Sequence, residues 1–286
     1  MIVIVGSIMV IAAVLGGFTM AGGECGALIQ PAELIVIAGA AIGSLIVMSP
    51  KKVLVDLGRG VLQCVKGTPY NKSIYEELFK LLYNLFRAAR RDGLMALESH
   101  ILDPDRSSIF IKYPKFTHNH HAMSFLTGAL VPLVDGTVKP EKLPALLEAD
   151  IKIIEEEHHA PTGVLTKTAD ALPGFGIVAA VLGIVVTMSA IDGPPEEIGE
   201  KVGAALVGTF LGILLSYGFF APMATRMEFL GIAEINFLRI IANVIPGFVG
   251  DLSPKVVLEQ ARRSVVTEYR PSREEMDEWL KQVETT

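Results

Sequence analysis

The sequence predicts an all-α, polytopic membrane protein with four transmembrane helices and a helical cytoplasmic domain. The 286-residue chain is 51% hydrophobic and has a mean hydropathy of +0.47, which is high for a soluble protein of this length. Four long stretches contain no Asp, Glu, Lys, Arg or His, a pattern typical of membrane spans. These stretches are residues 1–23, 34–50, 171–191 and 202–225. No strand pattern stands out in the rest of the chain.

Each stretch has about the length that a membrane-crossing helix requires. A bilayer core of roughly 30 Å takes about 20 residues at a rise of ~1.5 Å per residue. The second stretch is the shortest, so we extend its span to 31–50. Pro31 suits the first helical position, and Glu33 suits the positive end of the helix dipole and is expected to reach outward to the interface. The first stretch lacks preceding basic residues, and this favours a retained span over a cleaved signal peptide.

The distribution of Lys and Arg predicts the orientation of the spans. The connector 24–33 has no basic residue, and the connector 192–201 has only Lys201. Most basic residues lie in 51–170 and in the tail, including several beside the spans. The positive-inside rule therefore places both termini and the long loop in the cytoplasm. The predicted segments are spans at 1–23, 31–50, 171–191 and 202–225, a cytoplasmic helical domain at 51–170, and a cytoplasmic helical tail at 226–286.

The long loop shows the periodicity of an amphipathic helix. Apolar residues recur at spacings of three and four between Tyr75 and Phe86, with Asn71 or Ser73 as the N-cap and Gly93 at the end. Shorter helices are expected from Leu94 to about Ile101 and over 143–158. In the tail we expect a helix to about Ile245, a break at Pro246 and Gly247, and a polar segment around Trp279.

Two glycine pairs predict close helix packing in lipid. Gly39 and Gly43 form a GxxxG pattern in the second span, and Gly208 and Gly212 form one in the fourth. Small residues let membrane helices approach closely.

The sequence contains few groups that suggest chemistry within the protein itself. None of the uncharged stretches carries an ionisable residue, so either no ion crosses here or another chain supplies the carboxylate. The cluster of His118, His120 and His121 lacks matching metal-ligand spacing, and Cys25 and Cys64 are expected on opposite sides of the membrane. Arg90 and Glu98 are compatible with an ordinary surface pair. No basic run suggests nucleic acid binding, and no cofactor is expected.

Four segments resemble the MotA family of flagellar motor stator subunits, a proton-type MotA/PomA family distantly related to ExbB and TolQ. They are "QPAELIVIAGAAIGS" (30–44), "ARRDGLMALE" (89–98), "LPGFGIVAAVLGIV" (172–185) and "VGTFLGILLSYGFFAPMAT" (207–225). The resemblance covers nearly the whole chain in the expected order. The stretch 110–140 resembles the family least, so no role is carried onto its histidines.

The resemblance implies a stator subunit in the bacterial inner membrane that converts proton motive force into torque and is not an enzyme. A ring of about five copies would surround two MotB chains. MotB would supply the proton-binding aspartate and the peptidoglycan anchor, and the cytoplasmic domain would push on the rotor protein FliG. Membrane lipid would surround the ring.

The family motifs also suggest roles for single residues. Arg90 and Glu98 match the pair that contacts FliG, and Pro173 and Pro222 match the prolines that govern coupling. Proline removes a helical hydrogen bond, so we expect a flexible break at Pro173, near the helix end at the mouth of the third span, with Pro222 as a facing hinge. The alternative for Pro173 is a plain helix start.

The resemblance also bears on the transported ion. Sodium-type relatives carry a threonine at the position of Ala180 and a Thr-Thr pair where this chain has Gly208 and Thr209. Alanine and glycine side chains offer no oxygen ligands, so we expect protons rather than Na⁺. The alternatives are a sodium-driven stator, an ExbB/TolQ-like energiser and a membrane scaffold without ion flux.

Overall fold

The computed structural model describes residues 2–189, 192–250 and 252–285, and their regular secondary structure is entirely helical. This confirms the predicted fold class. Short 3₁₀ turns separate several helices, and a π-helical turn, Ser216–Phe220, joins α9 to α10. The α-helices in chain order are α1 (Ile2–Met20), α2 (Pro31–Met48), α3 (Lys51–Lys66), α4 (Lys72–Asp92), α5 (Glu98–Leu102), α6 (Pro114–Thr117), α7 (His120–Val134), α8 (Leu143–Met188), α9 (Pro195–Leu215), α10 (Ala221–Val244), α11 (Pro254–Ser264) and α12 (Arg273–Thr285).

Four helical segments in the described residues are long and apolar enough to cross a membrane. They are Ile2–Met20, Cys25–Met48, Pro140–Met188 and Pro195–Phe248. Each of the four predicted spans overlaps one of these segments, although the predicted ends at 23 and 50 lie beyond Met20 and Met48. The third and fourth segments extend well beyond the uncharged windows, and residues 190 and 191 at the predicted end of the third span lie outside the described residues.

The chain divides into two compact units. Met1–Gly67 and Glu157–Leu230 form the membrane unit, and Thr68–Glu156 and Gly231–Thr286 form the aromatic unit. The sequence predicted 51–170 as one domain, whereas the structure groups both ends of that stretch with the spans. The reason is an apolar cluster in which α3 and α8 pack against α10 through Leu57, Cys64, Leu165 and Met227.

Helix α4 is the central element of the aromatic unit. Asn71 caps it, as predicted, because its side chain accepts hydrogen bonds from the backbone N–H groups of Ser73 and Ile74 at 3.0 and 3.3 Å. Gly93 ends the helix at a φ of +85°, a conformation that favours glycine. Phe86, buried in α4, stacks on Phe248 with ring centroids 3.9 Å apart.

The C-terminal helix α12 packs on α4. Its buried face includes Trp279, and its polar side chains bond across to α4. Lys72 Nζ lies 2.6 Å from Glu275 Oε1, and the Tyr83 hydroxyl donates to Glu284. The expected polar segment around Trp279 is therefore an amphipathic helix that covers the unit's apolar core.

The membrane unit buries far fewer of its apolar side chains within the chain. No residue of α1 is buried within the chain. The buried residues of α2 are Glu33, Ile37 and Ala41, spaced four apart on one helical face. Most other apolar side chains of these helices are exposed, and a membrane or neighbouring chains must cover them.

Candidate functional site

Helices α8 and α9 cross at a contact made of glycines. A Cβ placed on Gly212 would lie 2.6 Å from the Leu172 carbonyl oxygen, and one placed on Gly176 would lie 2.8 Å from the Gly208 carbonyl oxygen. Both neighbours are backbone atoms, so only glycine permits this approach. The predicted close packing at Gly208 and Gly212 is confirmed.

The other predicted glycine pair makes no such contact. Within the described part of the chain, nothing lies within 4 Å of a Cβ placed on Gly39 or Gly43. The prediction of close packing at this pair is therefore wrong for contacts within one chain.

The residues expected to decide the ion lie at the α8–α9 crossing. Ala180 is buried, and its backbone nitrogen lies 3.3 Å from the Cβ position of Gly208. Thr209 is half-buried, and its Cα lies 3.3 Å from the Cβ position of Gly176. The structure therefore brings Ala180, Gly208 and Thr209 together although the sequence separates them by about one span.

Glu33 is a residue of this crossing that the sequence analysis placed wrongly. It was expected to reach outward, yet it is only 9% exposed. Its Oε2 lies 2.7 Å from the Cβ position of Gly208, and its Oε1 lies 3.0 Å from that of Gly183. Its spacing with Ile37 and Ala41 was the available signal, because residues four apart share a helical face. A carboxyl group therefore lies inside the four-span unit.

Pro173 does not lie near a helix end, contrary to the expectation, and the alternative of a plain helix start is also excluded. It lies inside α8, with helical residues on both sides, and is half-buried. Because proline has no N–H, the carbonyl of Ala169 lacks its usual helical donor. The helix continues through this defect since the neighbouring Leu172 and Phe175 pack in an apolar cluster with α2 and α9.

Pro222 follows the π-helical turn Ser216–Phe220 and lies in the first turn of α10. The Ala221 N–H donates to the Ser216 carbonyl, which is five residues back in place of the four of an α-helix. The π-helical turn, with one residue more than an α turn, therefore ends directly before the proline. Phe220 from this turn packs against the cluster that contains Leu172. Both prolines thus lie beside one apolar cluster, and the expected hinge roles stay predictions.

Arg90 and Glu98 lie in the aromatic unit, and both are exposed. The Arg90 guanidinium donates to the carbonyl of Gly250 and, at 2.9 Å, to that of Leu252, so it supports a loop after α10. Glu98 begins α5. No ion pair joins these two residues to each other in the described structure.

One member of the expected histidine cluster, His121, pairs with a carboxylate. His121 Nδ1 lies 2.8 Å from Oε1 of Glu234, a buried residue of α10. Burial, together with the charge of Glu234, raises the pKa of the neighbouring Tyr70 hydroxyl. Glu234 was not anticipated, although its spacing of four from Leu230 and Leu238 places it on their buried face.

These observations define a polytopic helical membrane protein with a glycine-packed span pair, an internal carboxyl group and a separate folded unit rich in aromatic residues. Comparison with known proteins identifies its family. The family model "Motility protein A N-terminal" matches residues 4–93, and that of the MotA/TolQ/ExbB proton channel family matches residues 117–236.

Two relatives are similar over almost their whole length. Chemotaxis protein LafT of Vibrio parahaemolyticus is 38% identical over 279 residues, which cover 98% of each chain. Motility protein A of Salmonella typhimurium is 34% identical over 283 residues, covering 99% of this chain and 96% of the relative.

A solved structure supports the fold. A chain of the C. jejuni MotAB structure has a TM-score of 0.78 and 21% identity, covering 95% of this chain and 98% of the matched chain. The chain described here belongs to the motility protein A family, and its function is that of a stator subunit of the bacterial flagellar motor.

Proposed function

We propose that this chain forms, with a MotB-type partner, a proton-driven stator that applies torque to the rotor protein FliG. The main support is the nearly full-length similarity to motility proteins together with the fold of MotAB stator complexes. In this proposal the chain is an ion-translocating motor component without enzymatic activity. It forms a ring of about five copies around two partner chains in the inner membrane.

The structure supports this proposal through its exposed apolar surface. Helix α1 has no buried residue, and α8 and α9 expose apolar side chains such as Val178 and Leu206. Lipid tails and neighbouring helices are the partners that such surfaces require. A ring that encloses partner spans would cover one face of each chain and leave the other to lipid.

We propose protons as the coupling ion because the α8–α9 crossing offers few fixed oxygen ligands. Ala180 and Gly208 have no side-chain oxygen, Thr209 has one hydroxyl, and Glu33 contributes a carboxyl group nearby. A proton needs only one acceptor at a time, whereas Na⁺ needs several oxygens around it. The partner's aspartate is the main acceptor in this proposal.

We also propose that both termini and the aromatic unit are cytoplasmic, following the positive-inside distribution of Lys and Arg. Arg90 and Glu98 would then face the rotor from the same cytoplasmic unit.

Complementation tests the function. Cells that lack their stator genes would receive this chain with its cognate MotB-type partner, and swimming speed would be recorded while external sodium and proton motive force are varied separately. We expect swimming that follows proton motive force and ignores sodium. Speed that rises with sodium at constant proton motive force would establish a sodium-driven stator. Restored nutrient uptake without motility would establish an energiser.

Charge reversal tests the rotor contact. Arg90→Glu should impair swimming, but it also removes the bonds to the Gly250 and Leu252 carbonyls. Glu98→Lys is the cleaner variant because Glu98 makes no comparable bond among the described residues. We expect Glu98→Lys to assemble normally and lose torque, with partial recovery by an opposite change on FliG. Full torque in Glu98→Lys with unmodified FliG would contradict the proposed contact.

A further inference from the structure

We propose that Glu33 is a proton-exchanging carboxyl group inside the membrane unit, where it tunes the pH dependence of ion coupling. The proposal rests on the proposed function as a proton-driven stator. It assigns to this chain an ionisable site of its own, in addition to the acceptor expected on the partner.

The environment of Glu33 is the first argument. The residue is 9% exposed, and its Oε2 is buried without a hydrogen-bond partner among the described residues. An isolated buried charge is costly, and ionisable groups within spans are typically part of ion pathways. The carboxyl group therefore either carries a proton or meets a cation.

The shape of the site is the second argument. Oε1 and Oε2 occupy the places that side chains of Gly183 and Gly208 would fill, 3.0 and 2.7 Å from the respective Cβ positions. Ala205 and Ala179 complete the wall, at 2.7 Å from the Cβ position of Gly183 and 3.1 Å from that of Gly208. Three helices thus leave room for the carboxyl group beside the small residues Gly183, Gly208, Ala205 and Ala179.

A role confined to the start of helix α2 does not account for this arrangement. A carboxylate in the first turn gains from the helix dipole wherever it points, including toward solvent. Glu33 instead points into the α8–α9 crossing. The dipole favours the charged form and the apolar surroundings favour the neutral form, so the two effects on the carboxyl group oppose each other.

The carboxyl group of Glu33 lies beside the residues that are expected to determine which ion is transported. Gly208, whose Cβ position lies beside Oε2, precedes Thr209 and lies beside the backbone of Ala180. In the proposed orientation the N-terminal end of α2 faces the periplasm, from which protons enter. When Glu33 releases its proton, the O–H bond breaks, its electron pair stays on the carboxylate, and the proton passes to water or to the partner's carboxylate.

The direct test is infrared spectroscopy of the complete stator in lipid vesicles during a pH titration. We compare wild type with Glu33→Gln, which keeps the shape but cannot release a proton, and with Glu33→Asp, which can. Glu24→Gln, in the exposed connector, is the matched control. We expect a pH-dependent carboxylic acid band that is absent in Glu33→Gln, shifted in Glu33→Asp and unchanged in Glu24→Gln.

Swimming speed against pH gives the functional readout. We expect the proton concentration for half-maximal speed to change by about fivefold or more in Glu33→Gln, the lower end of typical couplings between sites. Glu33→Asp should restore most of the wild-type curve. A merely structural role would change speed equally at every pH.

Two results would overturn the proposal. One is a wild-type spectrum in Glu33→Gln, and the other is a Glu33 band that does not titrate over the pH range in which cells swim. If Glu33→Gln fails to accumulate, the band shift in Glu33→Asp decides the question. The infrared result does not depend on rotation, so it separates failure of this proposal from failure of the proposed function.

Discussion

The two units of the molecule differ in how completely their buried polar groups are paired. In the aromatic unit, Ser107 bonds to His100 Nδ1 at 2.8 Å and Glu234 pairs with His121, so both buried polar side chains have partners. In the membrane unit the buried hydroxyls of Thr162, Thr168 and Thr187 donate to backbone carbonyls of their own helix, but other buried polar atoms have no partner among the described residues. Glu33 and Ser216 each have a buried oxygen of this unpaired kind. Ser49 Oγ and Arg226 Nε, also unpaired there, belong to the same unit.

Within the described residues, the aromatic unit leaves no buried polar side-chain atom unpaired, whereas the membrane unit leaves four. Buried polar atoms in folded proteins are nearly always hydrogen-bonded, so unpaired ones mark places where function or another molecule acts.

The chain also supplies an internal probe for each unit. Trp279, its one tryptophan, is buried in the aromatic unit, and Cys64 is buried in the membrane unit, where burial raises the pKa of its thiol and slows its reactivity.

The largest change in the free energy of unfolding is expected from removing one buried ring of the aromatic unit. Phe86→Ala removes the ring stacked on Phe248 and should lower the free energy of unfolding by about 3–5 kcal/mol. Denaturant unfolding of the full chain in detergent, followed by Trp279 fluorescence, measures this loss. Ile111→Ala, at an exposed site, should change it by less than about 0.5 kcal/mol. Equal midpoints for the two variants would show that the aromatic core contributes little.

The second effect concerns the proline inside α8. Pro173→Ala restores a donor for the Ala169 carbonyl and should raise helix stability by up to about 3 kcal/mol. We expect torque to fall, because a bias of about 1.4 kcal/mol shifts a two-state equilibrium tenfold.

Pro161→Ala is the matched control for Pro173→Ala, because Pro161 lies in the same helix. It should stabilise the helix without loss of torque. Torque measurements at several loads check both variants. Normal torque in Pro173→Ala would end the hinge hypothesis.

The third effect tests the glycine crossing. Gly212→Ala places a Cβ against the Leu172 carbonyl oxygen and the Gly176 Cα, and should destabilise the membrane unit by about 1–3 kcal/mol. Faster thiol labelling of Cys64, in a Cys25→Ser background, reports this loss. Gly39→Ala meets open space and should label at the wild-type rate. Slow labelling in both variants would mean that the crossing tolerates a methyl group.

The smallest effect is a pH dependence in the aromatic unit. Hydrogen bonds from Arg262, and then from Arg263, lower the pKa of Glu259 from 4.5 to about 2. Since the folded-state pKa is depressed, the stabilisation is present above pH 4.5 and is lost as pH falls toward about 2.

Glu259→Gln should therefore lower the free energy of unfolding at neutral pH by about 1 kcal/mol, because the pair is partly exposed. The difference from wild type should shrink as the pH falls, and Trp279 unfolding curves measure it. Glu268→Gln, at an exposed site of the same tail, is the control. A difference that stays constant from neutral to acidic pH would contradict the assigned ion pair.

The sequence was sufficient for features that depend on local chemistry. Four spans, the Asn71 cap and the Gly93 end follow from composition and from residues a few positions apart. It misplaced Pro173, because packing of Leu172 and Phe175 keeps α8 helical through a residue that normally ends a helix. It misplaced Glu33, because the space at Gly183 and Gly208 exists only after three helices assemble. Long-range packing decided both positions.

The π-helical turn Ser216–Phe220 also sets the phase of everything that follows it in α10. A π turn holds one residue more than an α turn, and each residue of an α-helix advances the side-chain direction by about 100°. Deleting one residue from this turn would restore a regular helix and rotate Ala224, Met227 and Leu230 away from Leu57 and Leu165. The extra residue therefore changes the direction of the side chains that follow it in α10. Ala224, Met227 and Leu230 face Leu57 and Leu165 only with that change of direction.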